Sequence, residues 1–281
     1  MTVVASRELA SGVVLNAPEP GCGNDSPRPW VHPLSTPSGV RVTDDQPLDH
    51  PWHRGLSFAV ANVDAADAVA HNFWGGPTFS GAEYVQLANN GTQRLIERRI
   101  TTGASREELE WCTTEGRVLV RESRHLRLHD DGAARGSATV LKWSSSLVNA
   151  SATPLRFGSP TTAGRPSAGY GGLFLRGAPG LIGAELLIDG EIVAADAAMG
   201  MPGAWAALRS AEATVAIAAH AANPVSPSPW FVRVDPVAML CAAPFFDEEW
   251  LLDVGGRATW QWTVLAIDGA ASAGELEGLL A

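Results

Sequence analysis

The strongest pattern in the chain is alternation. In residues 117–129 (RVLVRESRHLRLH) the even positions are Val118, Val120, Glu122, Arg124, Leu126 and Leu128. Successive side chains of a strand point to opposite faces, so the segment predicts a strand with one face apolar at both ends and a Glu–Arg pair between. The other face carries Arg117, Arg121, Ser123, His125, Arg127 and His129, which suit water. Asp130, Asp131 and Gly132 supply turn chemistry before a second strand over 137–143. Further strands are predicted over 213–219 (ATVAIAA) and 258–267 (ATWQWTVLAI). Asp189-Gly190 sits between two apolar runs, the pattern of a type I′ hairpin turn, which needs positive φ at both central residues. Helical character is confined to the end, where Ser272 is placed to cap and Glu275 follows three residues on.

Many short strands parted by Pro- and Gly-rich loops predict an all-β chain, a large antiparallel β-sandwich. No linker, repeat or low-complexity tract divides it, so residues 1–281 read as one domain, with the loop near 158–172 the place where two halves would meet. Composition agrees. Apolar residues make up 46% and charged residues 18%, with 29 Gly and 19 Pro, which excludes both a disordered chain and a helical bundle. The net charge of −10 argues against nucleic acid or an anionic membrane as partner. The chain has neither a signal-peptide pattern nor a run of about 18 apolar residues, so a soluble cytoplasmic protein is expected. Cys22, Cys112 and Cys241 are odd in number and far apart, which predicts neither a disulfide framework nor a zinc knuckle. Basic charge is nearly all arginine, with Lys142 the one lysine, a skew that codon preference in an Ala-rich chain accounts for.

Candidate chemistry is densest in residues 41–64 (RVTDDQPLDHPWHRGLSFAVANVD), where Asp44, Asp45, Asp49, His50, His53 and Arg54 fall together. Pro47 and Pro51 keep the segment out of helix. Such a set can bind a polyol, bind a metal or shuttle protons. It can equally be a loop whose Asp residues cap turns and whose Arg54 pairs with a carboxylate. No cofactor is assigned. A divalent metal would have His50 and His53 as ligands, with Glu122 the one candidate for a third. Glu122 itself, on an apolar strand face, must be paired, neutralised or facing a cavity. Arg124 is its obvious partner, either in an internal ion pair or in a catalytic or sugar-binding pair. The ten Trp against two Tyr form a third signal. Trp30, Trp52, Trp74 and Trp230 lie near Pro, Gly or His, where an indole can stack on a sugar ring, whereas Trp111, Trp143, Trp260 and Trp262 suit the core. The chain has no GxSxG, GxxxxGK[ST] or HExxH motif, and the Gly-rich 167–177 leads into a strand rather than a helix.

The segment 44–75, DDQPLDHPWHRGLSFAVANVDAADAVAHNFWG, resembles the DUF6807 family, also labelled "methane oxygenase PmoA". Its members carry a DHPHHRGL segment followed by an asparagine-containing stretch ending in FW. LVRESRHLRL (119–128), YGGLFLRG (170–177), NPVSPSPWFVR (223–233) and APFFDEEWLLDVGGRATWQWTVLAIDG (243–269) agree in order, so the resemblance covers nearly the whole chain. Trp52 departs from it, standing where many relatives have His, which weakens any three-histidine metal set. The oxygenase label fits poorly with a chain lacking spanning segments and a metal-ligand set. The resemblance implies a galactose-mutarotase-like supersandwich and carbohydrate metabolism.

On that reading the chain is a carbohydrate-active enzyme of epimerase, lyase or hydrolase type, its partner a small-molecule sugar or glycoside. His50, His53 and Glu122 are the expected acid–base groups, converging on one open pocket. Arg54 and Arg176 are expected to hold hydroxyl or carboxylate groups, and Trp74 or Trp230 to form a stacking wall, with Arg124, Tyr170 and Arg233 completing the binding set. The rival from another class is a noncatalytic carbohydrate-binding or sensing module. A scaffold with a closed His-rich loop is the third reading. Oligomeric state is not specified by the sequence.

Overall fold

A computed structural model of the chain describes residues 4–18, 25–129 and 138–280. In it the alternating segment forms the strand Val118–Leu128, with Val120, Glu122, Arg124 and Leu126 buried and Arg121, His125 and Arg127 on the wetter side. Its neighbour, Ala138–Asn149, pairs antiparallel in continuous register, Glu122 opposite Leu147 and Arg127 opposite Lys142. The turn expected at Asp130–Gly132 and residue Cys22 lie outside the described residues. Cys112 and Cys241 are free and buried.

The strands assemble into two large antiparallel sheets. The back sheet has nine strands, in the order Glu191–Ile192, Glu185–Ile188, Trp205–Arg209, Ala213–Ala219, Arg257–Asp268, Ala138–Asn149, Val118–Leu128, Ala104–Cys112 and Thr92–Thr101. The front sheet has eight: Val4–Ala10, Val13–Pro18, Trp30–Leu34, Leu56–Val60, Gly171–Arg176, Met239–Ala242, Ser228–Arg233 and Pro202–Gly203. The main core lies between them. Leu56, Phe58, Val60, Leu173, Leu175, Leu240 and Trp230 face inward from the front sheet, meeting Trp111, Trp143, Trp260, Trp262, Leu141 and Val264 from the back. The fold class is therefore the expected antiparallel β-sandwich. The hairpin turn has φ of 47° at Asp189 and 90° at Gly190, the two positive values that its sequence requires.

Each sheet is also partly covered on its outer face. Behind the back sheet, the helix Ala273–Leu280 seats Leu276 against an apolar cluster containing Leu265, Ile267 and Trp205. Its start is a capping box: the Ser272 N–H donates to Glu275 Oε2 at 2.7 Å and the Glu275 N–H to Ser272 Oγ at 3.3 Å. On the front sheet, Leu56–Val60 and Gly171–Arg176 are buried at every position, because loops from 41–55 and 72–90 fold over the face opposite the core. Such strands read as unbroken apolar runs rather than alternation.

The Glu–Arg pair of the alternating strand points into the sandwich interior, where Glu122 is 1% exposed and Arg124 0%. Glu122 accepts four hydrogen bonds, from Trp111 Nε1 (2.8 Å), Ser145 Oγ (2.5 Å), Arg124 Nε (2.8 Å) and Arg124 Nη2 (3.1 Å). Arg124 also donates to Gln93 Oε1 and to the Pro29 carbonyl, and its guanidinium lies 4.8 Å from the Trp143 ring centre. Gln93 in turn donates to the Phe58 carbonyl of the front sheet at 2.8 Å. This network bolts one sheet to the other.

Candidate functional site

The segment 41–55 folds back across the end of Gly171–Arg176. Asp44 N–H donates to the Arg176 carbonyl at 2.8 Å and Arg176 N–H to the Gly55 carbonyl at 2.8 Å. Gly55 has a φ of 30°, and a Cβ there would stand 2.2 Å from the Val31 carbonyl oxygen, so only glycine permits this crossing. Two tight turns, His50 N–H to the Pro47 carbonyl and His53 N–H to the His50 carbonyl, bring both imidazoles to one side. Their rings stack with centroids 4.7 Å apart. Trp52 lies against Gly75 and Gly76, where an added Cβ would stand 2.5 Å from the Trp52 Cβ and 2.5 Å from its indole ring, respectively.

Together these residues open onto a cavity of about 340 Å³ outside the front sheet. His50, His53, Trp52, Trp74, Tyr84, Arg165, Tyr170, Phe231 and Met239 line it. The aromatic wall is continuous, with Trp74 4.7 Å from Tyr170 and Tyr170 5.5 Å from Phe231. The Tyr84 and Tyr170 hydroxyls lie 3.0 Å apart, and Arg165 donates to Tyr84 Oη while stacking on its ring. Burial pushes the Tyr170 phenol well above its ordinary value, with Tyr84 adding to the effect.

The two imidazoles have opposite faces available for hydrogen bonding. His50 Nδ1 lies 2.8 Å from Asp49 Oδ2. A carboxylate only accepts, so Nδ1 carries a proton, and in the neutral ring Nε2 is left as an acceptor. The hydrogen bond from His50 is the first cause holding Asp49 below the usual carboxylate range. His53 Nδ1 lies 3.3 Å from Arg176 Nη1. A guanidinium only donates, so here Nδ1 accepts and Nε2 carries the proton. Burial, followed by the His50 and Arg176 charges, drives His53 down to about 2, so it stays neutral through the physiological range. His53 therefore takes up no second proton near neutrality, contrary to the acid–base role its type suggests. It is a fixed hydrogen-bond donor.

Several residues expected in the site stand elsewhere. Glu122 and Arg124 belong to the interior network, because the apolar side of their strand faces the opposite sheet rather than a pocket. The triad of His50, His53 and Glu122 does not form, and among the described residues no three His, Cys, Asp or Glu side chains gather as a metal would require. Trp230 is 0% exposed, points into the core and donates to the Gly203 carbonyl, so it is no stacking wall. Arg54 is buried behind the loop, donating to Asp25 Oδ2 at 2.6 Å with its guanidinium 4.6 Å from the Trp30 ring centre. Arg176 supports His53 and lies 3.9 Å from Asp49 Oδ1, at the back of the site rather than along the cavity wall. Arg233 stacks on Phe231, outside the cavity lining. His50, His53, Trp74 and Tyr170 do line it.

Sequence reasoning missed Asp49 as the partner of His50, although the two are adjacent, and missed Tyr84, Arg165, Phe231 and Met239, which converge from distant segments. It also missed Arg28, which is fully buried and donates to Ser57 Oγ (3.1 Å), the Trp74 carbonyl (2.8 Å) and the Trp52 carbonyl (2.9 Å). Burial, then the Arg54 charge, lowers its guanidinium to about 9.

Among solved structures, the chain is similar to the heparan sulfate lyase HepC of Pedobacter heparinus, at 8% identity and a TM-score of 0.42 over 96% of this chain and 36% of that one. It is similar to the α-galactosidase of Lactobacillus brevis, at 10% identity and a TM-score of 0.37 over 96% of this chain and 38% of that one. The protein HI1317 matches at 10% identity and a TM-score of 0.34, over 94% of this chain and 99% of its own. The chain thus spans little more than a third of the lyase and of the galactosidase. No curated protein matches it. The family described as "Family of unknown function (DUF6807)" matches residues 15–281, and the chain belongs to that family.

Proposed function

We propose that the chain is a carbohydrate-active enzyme of epimerase or lyase type, acting on a monosaccharide-sized substrate held in the His50–Tyr170 cavity on a galactose-mutarotase-like sandwich. The observation that carries this reading is the pair of stacked imidazoles with opposite tautomers. His50, oriented by Asp49, presents a bare Nε2 that can take a proton from carbon or hydroxyl. His53, kept neutral, presents an Nε2–H that can stabilise charge developing on a neighbouring oxygen. A base and a neutral donor side by side suit proton abstraction next to a carbonyl, as in epimerisation or elimination. Glycoside hydrolysis ordinarily uses two carboxylates flanking the bond. Asp49 is the carboxylate nearest the pair, and it is already committed to His50, so hydrolysis is the least supported of the three chemistries. The Trp52, Trp74 and Tyr170 rings give a sugar its stacking surface, and the volume falls within the range of small-molecule sites.

The test is proton exchange. The protein is incubated in D₂O with aldoses, ketoses, uronic acids and 3-keto sugars, and ¹H NMR follows the loss of each carbon-bound proton. One class should exchange, His50→Gln should abolish exchange while retaining binding, and His53→Gln should slow it by about 10²–10³-fold, as loss of a transition-state donor does. Saturable binding with no exchange in the unaltered protein would make it a binding module and overturn the enzymatic reading.

A further inference from the structure

A second cavity, of about 580 Å³, opens on the other side of the molecule, on the outer face of the back sheet. Arg127, Lys142, His125, His220, Gln261 and Thr263 line it, and among the described residues no carboxylate does. That is unusual company in a chain of net charge −10, and it includes the one lysine. Across the strands, Arg127 stands directly opposite Lys142, Arg106 opposite His125, and Arg99 opposite Arg106. Like charges in directly opposed positions destabilise a sheet. Arg99 is relieved by Glu97 at 2.6 Å. For Arg106, Arg127 and Lys142 no ion pair exists among the described residues.

The cavity is also two-sided. Next to the basic row, in the same register, lie Thr263, Ala218 and then Trp205, and Leu280 of the capping helix closes the apolar end. His220 Nδ1 accepts the Ala222 N–H at 3.1 Å, so the neutral ring carries its proton on Nε2 and adds a further donor to the lining. Donors and fixed positive charge at one end, with an indole and aliphatic groups at the other, match a ligand built the same way.

We infer that this cavity binds a small organic anion, a compact apolar body bearing one phosphate or carboxylate, with the anionic group between Arg127 and Lys142 and the body against Trp205. An anion so placed relieves the opposed cations and gains charge-assisted hydrogen bonds. The inference is independent of the proposed sugar chemistry, because the two cavities lie outside different sheets.

Thermal unfolding and calorimetry at constant ionic strength test it with inorganic phosphate, phenyl phosphate, benzoate and, as the neutral control, benzyl alcohol. Phenyl phosphate or benzoate should raise Tm saturably, and benzyl alcohol should not. Whichever of the two acts identifies the acidic group, and a response to inorganic phosphate alone would show an adventitious ion only and overturn the inference. Lys142→Gln and Arg127→Gln should each raise Kd about tenfold or more, as the loss of a contact to a charged group does. Each should also leave the ligand-free Tm unchanged or higher, since a repulsion has been removed. A lower ligand-free Tm would mean that an acidic group of the chain already serves these cations, which overturns the inference. So would an anion response that survives both variants, or one that His50→Gln removes.

Discussion

The sandwich holds two clusters of nearly the same ingredients, and their fates differ. Inside, Glu122, Arg124, Gln93, Ser145 and two tryptophans close on one another, with both Glu122 oxygens doubly bonded to donors. Outside the front sheet, Asp49, His50, His53 and Arg176 meet beside Trp52 and Trp74, but in and behind that loop Arg54 Nε and Nη1, Arg176 Nε and Asp45 Oδ1 find no hydrogen-bond partner among the described residues. Acid, base and ring are present in both. What separates them is access: Glu107 Oε2, 3.7 Å from Arg124 and without a hydrogen bond, is sealed in the interior, whereas the loop keeps a free acceptor and a free donor at a cavity. Unmet hydrogen-bonding capacity that reaches a cavity is thus a better guide to function here than the presence of reactive side chains.

The contrast can be broken most sharply at Glu122. Glu122→Leu leaves the buried Arg124 guanidinium with only the more distant Glu107, 3.7 Å away, and should cost about 3–5 kcal/mol of unfolding free energy, read from urea denaturation. The double variant Glu122→Leu/Arg124→Met should recover most of that loss, because a charge-free interior pair is close to neutral. Failure to recover would mean that the ion pair does more than fill the sandwich. The next largest effect belongs to His53. Its ordinary value of 6.5 in the unfolded chain against about 2 when folded means that the unfolded state binds a proton the native state refuses. The stability due to neutral His53 is complete above pH 6.5 and is lost as pH falls toward its folded value. Between pH 6.5 and 5 the unaltered protein should therefore lose up to about 1.4 kcal/mol per pH unit more than His53→Gln. Parallel pH profiles for the two would place His53 in water and undo its role as a fixed donor. The smallest effect is expected at His50, whose side chain is 46% exposed. His50→Gln should change stability by no more than about 0.5 kcal/mol in the same denaturation experiment. A large loss there would make the loop a structural element like the interior cluster.

The parts of this molecule that were legible in its sequence are those specified locally. The alternation of 117–129, the Asp189-Gly190 turn and the Ser272–Glu275 cap each carry their own geometry within a few residues, and each appears as expected. The strands Leu56–Val60 and Gly171–Arg176 gave no alternation because both of their faces are buried. The site was half legible. Proximity along the chain brought His50 and His53 together, but alternation says only that Glu122 and Arg124 share a face, not whether that face meets a pocket or another sheet. Trp230 misled for the same reason, its neighbouring prolines suggesting a loop where the chain forms a strand. Tyr84 and Arg165 meet across 81 residues, a closeness that only the folded topology supplies.

Arg28 gives the arginine skew of the chain a local meaning. Three nitrogens of one rigid plane each reach a different acceptor: a serine hydroxyl on the front sheet and the backbone carbonyls of two tryptophans from separate loops. An ammonium group is a single point on a flexible stem and cannot span such a triangle. Whatever set the codon usage of this gene, lysine at this position would release two loops from each other, and with them the walls of the cavity they share.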